Sequence, residues 1–165
     1  MRENEPTIHI QRATADDAIS IASVLRASFV EYESSYTPEA LAATTPSSEQ
    51  ILHRMSEGPV WVARQHDTIV GTVSVVPENE GIYIRGMAIL PTARGQGIGR
   101  RLLSQVEEFA ARYGYERLFL STTPFLSRAI PLYEQCGFRR SEEGPHELFG
   151  TPLFTMVKML RSVEE

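Results

Sequence analysis

A glycine-rich turn between an apolar run and an amphipathic helix is the feature that most limits how this chain can fold. Residues 82–90 are mostly apolar and predict a buried strand, which the following proline ends. Gly95, Gly97 and Gly99 then alternate with larger residues before a helical pattern begins. Glycine lets the backbone approach a ligand closely, and the first N–H groups of a helix have no partner within it. Because the helix dipole adds positive charge there, the turn is predicted to bind an anion, most often a phosphate.

The charge distribution supports an anionic ligand. The chain carries a formal net charge of −5, with 21 acidic and 16 basic residues. Residues 81–106, by contrast, contain no Asp or Glu but do contain Arg85, Arg94, Arg100 and Arg101. A local basic patch on an acidic protein favours a small polyanion over nucleic acid, which usually needs a broadly basic face.

Two well-known phosphate-binding loops fit this turn poorly. A Walker loop has a lysine directly after its last glycine, and the only lysine of this chain is Lys158. The dinucleotide fingerprint has the spacing G-x-G-x-x-G after the first strand of its domain, whereas here G-x-G-x-G lies in mid-chain. The identity of the phosphate ligand therefore depends on the sequence around the turn.

Length and composition predict one soluble domain that spans residues 1–165. The chain is 42% hydrophobic and 22% charged, as in ordinary globular proteins, and no apolar run is long enough to cross a membrane. No signal peptide is visible, and Cys136 is the single cysteine, so a cytoplasmic location is expected. The four histidines are scattered without ligand spacing, so no metal site is expected.

The pattern of apolar residues and turn signals predicts an α/β (α+β) fold. Three strands, 60–64, 69–76 and 82–90, form an antiparallel meander, and Gly86 predicts a bulge in the third. Residues 31–48 are predicted to be irregular, and so is the polar segment 141–152. The other predicted elements are strands at 7–12, 118–122, 138–139 and 153–159, and helices at 14–30, 48–57, about 98–113 and 127–136.

Motifs at two separate positions of the chain resemble those of the GNAT superfamily of N-acetyltransferases. The segment 94–99 fits the family pattern Q/R-x-x-G-x-G/A, and Met87–Pro91 resembles the strand end before it. About 40 residues later, residues 129–138 fit the pattern A-x-x-L/F-Y-x-x-x-G-F. The resemblance covers nearly the whole chain. It implies a single mixed sheet of about six to seven strands, flanked by four helices, in which the parallel fourth and fifth strands splay apart.

The resemblance also implies direct transfer of an acetyl group from acetyl-CoA to a primary amine of a small molecule or peptide. In the family the pantetheine arm pairs with backbone groups of the splayed strand, and the glycine turn holds the pyrophosphate. Carried over to this chain, the coenzyme-binding residues are Met87, Ala88, Ile89, Arg94, Gly95, Gln96, Gly97, Ile98, Gly99 and Arg100. Arg101 is a further candidate for phosphate contact.

The remaining predicted site residues concern proton transfer and the acceptor. Tyr133 matches the family's proton donor to the leaving thiolate. Many members carry a glutamate base on the central strand, where this chain has Tyr83, so Glu80 is the predicted base, with Glu78 and His146 as further candidates by chemistry alone. The predicted acceptor-binding residues are Tyr32, Tyr36 and Tyr83.

Besides Tyr83 at the usual glutamate position, one departure from the family pattern concerns the coenzyme, and the variable loops concern the acceptor. Leu126 replaces an asparagine that many members have near the pantetheine arm. Acidic residues of the variable loops, such as Glu31 and Glu143, are consistent with a cationic acceptor, although such side chains are usually solvated surface.

Alternative functions remain open at this point. The same fold could serve as a non-catalytic acyl-CoA-binding module, and the glycine turn could belong to a nucleotide-binding protein. Each motif also has a simpler structural explanation: the glycines could form a plain turn, Tyr133 could be a core aromatic, and Cys136 is best explained as a buried small hydrophobe. The expected partner is an amine acceptor rather than nucleic acid or a membrane, and a homodimer is left open.

Overall fold

The computed structural model describes residues 7–160 and consists of a mixed seven-stranded sheet with helices on both faces. The strands follow the order β1-β2-β3-β4-β5-β9-β6, and β7 and β8 form a separate hairpin. The strands are β1 (Ile8–Arg12), β2 (Val60–Gln65), β3 (Thr68–Glu78), β4 (Gly81–Ile89), β5 (Arg117–Thr122), β6 (Arg139–Ser141), β7 (Glu147–Leu148), β8 (Thr151–Pro152) and β9 (Phe154–Met159). The helices are α1 (Ala18–Phe29), α2 (Pro38–Thr44), α3 (Ser48–Glu57), α4 (Ile98–Arg112) and α5 (Ala129–Gln135).

The meander β2–β3–β4 is confirmed, and its first turn has the geometry that the strands require. His66 and Asp67 connect β2 to β3 with φ angles of 53° and 62°. Two successive residues with positive φ make the turn type whose twist matches that of the flanking strands. The turn sets Gln65 opposite Thr68, and a register shift between Ala63 and Arg64 then brings Val62 opposite Thr72.

Side-chain alternation along the strands buries both faces of the sheet. Trp61 and Ala63 of β2 pack with α4 in one apolar cluster, whereas Val60 and Val62 pack with α1 and α3 in another. Successive strand residues point to opposite faces, so a strand covered on both sides is apolar throughout. Helix α4 fills its side of the sheet with Leu102, Leu103, Val106 and Ala110, each at most 1% exposed.

The number of helices differs from the prediction, because residues 7–160 contain five α-helices rather than four. Helix α2 lies within segment 31–48, which was predicted to be irregular. The hydroxyl of Thr37 caps it by accepting a hydrogen bond from Ala40 N–H at 3.2 Å, and Pro38 occupies its first position. These start signals are visible in the sequence, but seven residues are too few for an amphipathic period. The β7–β8 hairpin likewise lies inside the polar segment 141–152.

Within residues 7–160, no helix is long and apolar enough to span a membrane. The same residues contain no cluster of three or more His, Cys, Asp and Glu side chains that could hold a metal ion.

Candidate active site

A gap opens in the middle of the sheet, where β4 and β5 separate. The two strands are parallel and pair at only three positions, the last of which joins Ile84 to Leu120. Strand β5 continues to pair with β9 as far as Thr122, whereas β4 from Arg85 to Ile89 keeps only its partner β3. The edge of β4 that faces β5 is therefore open to an extended ligand, which could pair with it as an added strand would.

A bulge in β4 explains why the strands separate at this point. The register shifts so that Val73 of β3 stands opposite both Gly86 and Met87. Gly86 has a φ of +59°, a backbone conformation that L side chains rarely adopt. A bulge bends its strand and increases the local twist, which turns the end of β4 away from β5. The bulge predicted from the glycine is thus confirmed.

The gap forms a cavity of about 890 Å³ that reaches from the bulge to the glycine turn. Most of the predicted coenzyme-binding residues line it: Met87, Ala88, Ile89, Arg94, Gly95, Gly97, Ile98, Gly99 and Arg100. Gln96 does not line the cavity, and its side-chain amide instead bonds Gln65 at 2.9 Å and the Ala93 carbonyl at 3.3 Å.

The three glycines of the turn serve different purposes. Gly95 and Gly97 have φ angles of +83° and +75°, and a Cβ at either position would meet nothing within 4 Å. Glycine is therefore needed at these two positions because of the backbone conformation and not because of a lack of space. At Gly99 a Cβ would lie 2.6 Å from Leu132 Cδ2 and 3.1 Å from Ile89 Cδ1, so this glycine lets α4 pack closely against α5 and β4.

Helix α4 begins at the cavity without a side-chain cap. Its N-cap is Gly97 in the left-handed conformation, and the first helical bond is donated by Arg101 N–H to the Gly97 carbonyl at 3.2 Å. The N–H groups of Ile98, Gly99 and Arg100 therefore have no acceptor within the helix. No acidic residue lies in this first turn, so the positive end of the helix dipole is not neutralised there.

The arginines near the turn divide between the cavity and other contacts. Arg94 lines the cavity and pairs with Glu31 at 2.6 Å, and Arg100 lines it while donating to Gln135 Oε1 at 2.7 Å. Arg101 donates to the Ile8 carbonyl of β1 at 2.7 Å and is not part of the cavity wall. Arg128, at the N-cap of α5, also lines the cavity, although no sequence signal singled it out.

Tyr133 lies in the cavity wall, on the buried side of α5. It is 8% exposed, and its ring packs against Phe138 with the centroids 5.9 Å apart. Burial raises the pKa of Tyr133 far above that of a free phenol, and the nearby Tyr36 and Cys136 act in the same direction. The side chain therefore keeps its proton at neutral pH. Cys136 itself is half-buried against the core and does not line the cavity.

The three tyrosines predicted to bind the acceptor all line the cavity. Tyr36 contacts Phe125 edge-on at 4.8 Å, and Tyr32 lies 6.0 Å from the same ring. Tyr83 packs on Phe119 at 5.3 Å. Burial raises the pKa of Tyr83, although the charges of Arg85 and Arg54 oppose the shift. A phenol held in its neutral form is a poor replacement for a carboxylate base.

None of the predicted base candidates lies in the cavity wall. Glu80 occupies the exposed turn between β3 and β4, outside the cavity, so its assignment stays a prediction from sequence alone. Glu78 and His146 are not in the wall either. Among the described residues that form the wall, Glu147 of β7 is the one carboxylate. The sequence could not single it out, because its hairpin reaches the cavity only through tertiary packing.

Two further arginines line the cavity beside the bulge of β4; one belongs to the predicted basic patch, and the other was not singled out from the sequence. Arg54 of α3 and Arg85 of β4 both line the cavity. Arg85 pairs with Glu57 at 2.7 Å, and this hydrogen bond lowers the pKa of Glu57. Five arginines and one glutamate thus line the cavity of a chain whose net charge is negative.

Strand β4 bulges and separates from β5, and beside it lies the N-terminus of α4, which has no side-chain cap. Together they form a site that suits an extended ligand with a phosphate at one end. Comparison with known proteins gives the family: the Acetyltransferase (GNAT) family matches residues 21–138, and the chain belongs to it. An uncharacterised N-acetyltransferase of Escherichia coli, YjgM, is 30% identical over 135 residues, which are 78% of this chain and 80% of that protein. An IAA acetyltransferase of Azospirillum brasilense is 38% identical over 91 residues, 54% of this chain and 58% of the relative.

The structural comparison agrees with the family. The crystal structure of the PaiA N-acetyltransferase of Thermoplasma acidophilum in complex with coenzyme A superposes with a TM-score of 0.80 at 19% identity. The superposition covers 93% of this chain and 99% of that structure. The predicted GNAT fold, with its parallel splayed strands, is confirmed.

Proposed function

We propose that this protein transfers the acetyl group of acetyl-CoA to the primary amine of a small molecule or peptide, by direct attack in a ternary complex. The observation that carries the proposal is the meeting of three features in one cavity: an uncapped helix N-terminus, an unpaired strand edge and a buried tyrosine. The relatives named as acetyltransferases support the same chemistry.

The residues present fit coenzyme A. The N–H groups from Gly97 to Arg100 suit a pyrophosphate, since these residues line the cavity and no carboxylate competes for them in the first turn of α4. Arg94 and Arg100 add charge-assisted contacts to phosphate oxygens. The open edge of β4 at Met87 and Ile89 suits the amide groups of a pantetheine arm. When bound, the coenzyme supplies an activated acetyl thioester whose sulfur becomes the leaving group.

The residues of the chain then supply the remaining chemistry. Backbone N–H groups of β4 beyond the bulge face the site where negative charge grows on the carbonyl oxygen, and they stabilise it. The amine must arrive neutral, and its proton passes to Glu147, the one carboxylate among the described residues of the cavity wall, and from there to solvent. Tyr133 donates its proton to the departing sulfur and is reprotonated from solvent.

The test combines a thermal-shift assay with acetyl-CoA and an amine panel in which thiol release is measured. We expect stabilisation by acetyl-CoA and thiol release that depends on the added amine. A control without amine measures hydrolysis of the thioester. Stabilisation by a dinucleotide or ATP in place of acetyl-CoA would overturn the proposal.

One observation favours a second candidate, a non-catalytic acyl-CoA-binding module. Tyr83 stands where many relatives have a glutamate base, and burial keeps it protonated. The module predicts tight binding of acetyl-CoA, no turnover across a broad amine panel, and no effect of Tyr133→Phe on any measured property of the complex.

A further inference from the structure

Arg54 extends from α3 into the cavity and lies against the bulge of β4. Its Nη1 is 3.1 Å from the position that a Cβ would take on Gly86. Its Nη2 donates a hydrogen bond to the Ala43 carbonyl, near the end of α2, at 3.2 Å. One edge of the guanidinium is thus anchored on the protein, while the group as a whole forms part of the cavity wall.

Arg54 has no direct ion pair within the described residues, although the charge of Glu57 acts on it from a distance. Within residues 7–160, no carboxylate oxygen lies within 4.0 Å of its guanidinium, whereas five other basic side chains have such partners. Burial lowers the pKa of Arg54, and the neighbouring charge of Arg85 lowers it further. A half-buried cation beside a second cation is electrostatically unfavourable unless an anion binds there.

Arg85 brings a second guanidinium group to the same place. Its Nη2 binds Glu57, but its Nε is buried and has no hydrogen-bond partner. Two guanidinium groups therefore share one protein carboxylate. Arg54, which has no direct ion pair, and the neighbouring guanidinium of Arg85 both line the cavity and together indicate a ligand that carries negative charge.

This cationic pair is distant from the glycine turn. Gly86 precedes the end of β4 at Ile89 by three residues, or about 10 Å of extended strand. The glycine turn begins only after a further helical turn at Pro91–Ala93. The phosphates of the coenzyme have Arg94, Arg100 and the helix N-terminus, so Arg54 lies with the acceptor tyrosines instead.

We propose that the acceptor is an amine that also bears a carboxylate, such as an amino acid, and that Arg54 binds this carboxylate with Arg85 beside it. The inference rests on the proposed acetyl transfer and names its substrate class. It reverses the expectation of a cationic acceptor, because the loop acids Glu31 and Glu143 are engaged with Arg94 and Arg117.

The experiment measures kcat/KM by thiol release at saturating acetyl-CoA, for amino acids and for the corresponding amino-acid amides. Each pair keeps the amine and exchanges the carboxylate for a neutral amide. The amine of the amide is the less basic of the two, so a larger share of it is neutral, and this bias works against the expected result. We expect the unsubstituted protein to prefer the amino acid by about tenfold or more.

Substitution of Arg54 identifies the group responsible. Arg54→Gln is expected to lower kcat/KM about tenfold for the amino acids and less than twofold for the amides, with KM for acetyl-CoA unchanged. Arg54→Lys keeps the positive charge but loses the paired N–H donors of the guanidinium group, and it should retain part of the preference for amino acids over amides. Arg112→Gln, which alters an exposed arginine outside the cavity, is the matched control and should change neither substrate. Stabilisation of each variant by coenzyme A in a thermal-shift assay verifies that it is folded.

The possible failures are distinguishable. Equal loss for acids and amides in Arg54→Gln would mean that the side chain only supports α2 through Ala43, and the inference would be wrong. Turnover confined to amines without a carboxylate would overturn the inference and leave acetyl transfer standing. Binding of coenzyme A without turnover of any amine would overturn the proposed function itself and, with it, this substrate class.

Discussion

The positive φ of Gly97 allows the coenzyme loop to be tested separately from the stability of its helix. With φ at +75° and ψ at 13°, any residue with a Cβ pays a conformational penalty of about 1–2 kcal/mol. A Cβ there meets nothing within 4 Å, so no steric term is added. Alanine also reduces the entropy of the unfolded chain, which offsets roughly 0.4–1 kcal/mol. We therefore expect Gly97→Ala to lower the free energy of unfolding by about 1 kcal/mol.

Gly114 provides a matched control at the opposite end of the same helix. Its φ is +79°, and a Cβ there would also meet nothing within 4 Å, but it does not line the cavity. Gly114→Ala should therefore lower the free energy of unfolding by a similar amount, about 1 kcal/mol, measured by urea denaturation. Only Gly97→Ala should change the orientation of the N–H groups that begin α4.

The property that should distinguish the two variants is their affinity for coenzyme A, determined by isothermal titration calorimetry. If Gly97→Ala reorients the loop, a loss of about 1 kcal/mol in binding corresponds to roughly a fivefold rise in Kd. Gly114→Ala should leave Kd unchanged within error. Equal changes in Kd for the two variants, or no change in either, would refute the assignment of this turn as the diphosphate site.

Three further predictions concern single side chains. Tyr133→Phe should lower kcat by about 10²-fold or more without changing coenzyme affinity, because it removes only the donated proton; an unchanged kcat would remove Tyr133 from the mechanism. Phe138→Ala should lower the free energy of unfolding by about 3–5 kcal/mol, measured in urea, because Phe138 is 2% exposed and its ring packs on Tyr133. The ion pair of Arg85 and Glu57 lowers the pKa of Glu57 in the folded protein. It therefore stabilises the fold at pH values above about 4.3, the pKa of Glu57 in the unfolded chain. This stabilisation is lost as the pH falls through the lower pKa that Glu57 has in the folded protein. The stability difference between the unsubstituted protein and Glu57→Gln should accordingly be a few tenths of a kcal/mol at pH 7, since both side chains are partly exposed, and should vanish near pH 3.

The parts of the fold that local chemistry determines could be predicted from the sequence. Gly86 inside an apolar run indicated the bulge, and Gly95 and Gly97 indicated a turn before a helix. Each of these glycines determines the conformation of its own backbone, so the prediction did not depend on residues that are distant in the sequence. Helix α2 was missed for a related reason: its start signals are present at Thr37 and Pro38, but it is too short to show a period.

The acceptor end of the cavity could not be predicted in this way, because tertiary packing assembles it. Arg54 precedes Gly86 by 32 residues and reaches it only because α3 packs against the sheet beside the bulge. On the sequence it is one charged residue on the polar face of a short helix, where a solvated side chain is the ordinary expectation. Glu147 is likewise one of several acids in a polar segment, and its hairpin approaches the site through contacts of Thr37 with Phe149 and Thr151.

The distribution of charge makes the two ends of the cavity suitable for different ligand groups. The protein carries a net charge of −5, so its surface as a whole repels anions, yet the cavity concentrates arginines at both ends. At the glycine turn the cations accompany free backbone N–H groups, a combination that suits the diphosphate of a coenzyme. At the bulge, Arg54 and Arg85 accompany aromatic rings and a single carboxylate, a combination that suits a small molecule carrying both an amine and a carboxylate. Because the thioester would lie between these ends along β4, a carboxylate held at Arg54 fixes one end of the acceptor and restricts which amines can reach the acetyl carbon.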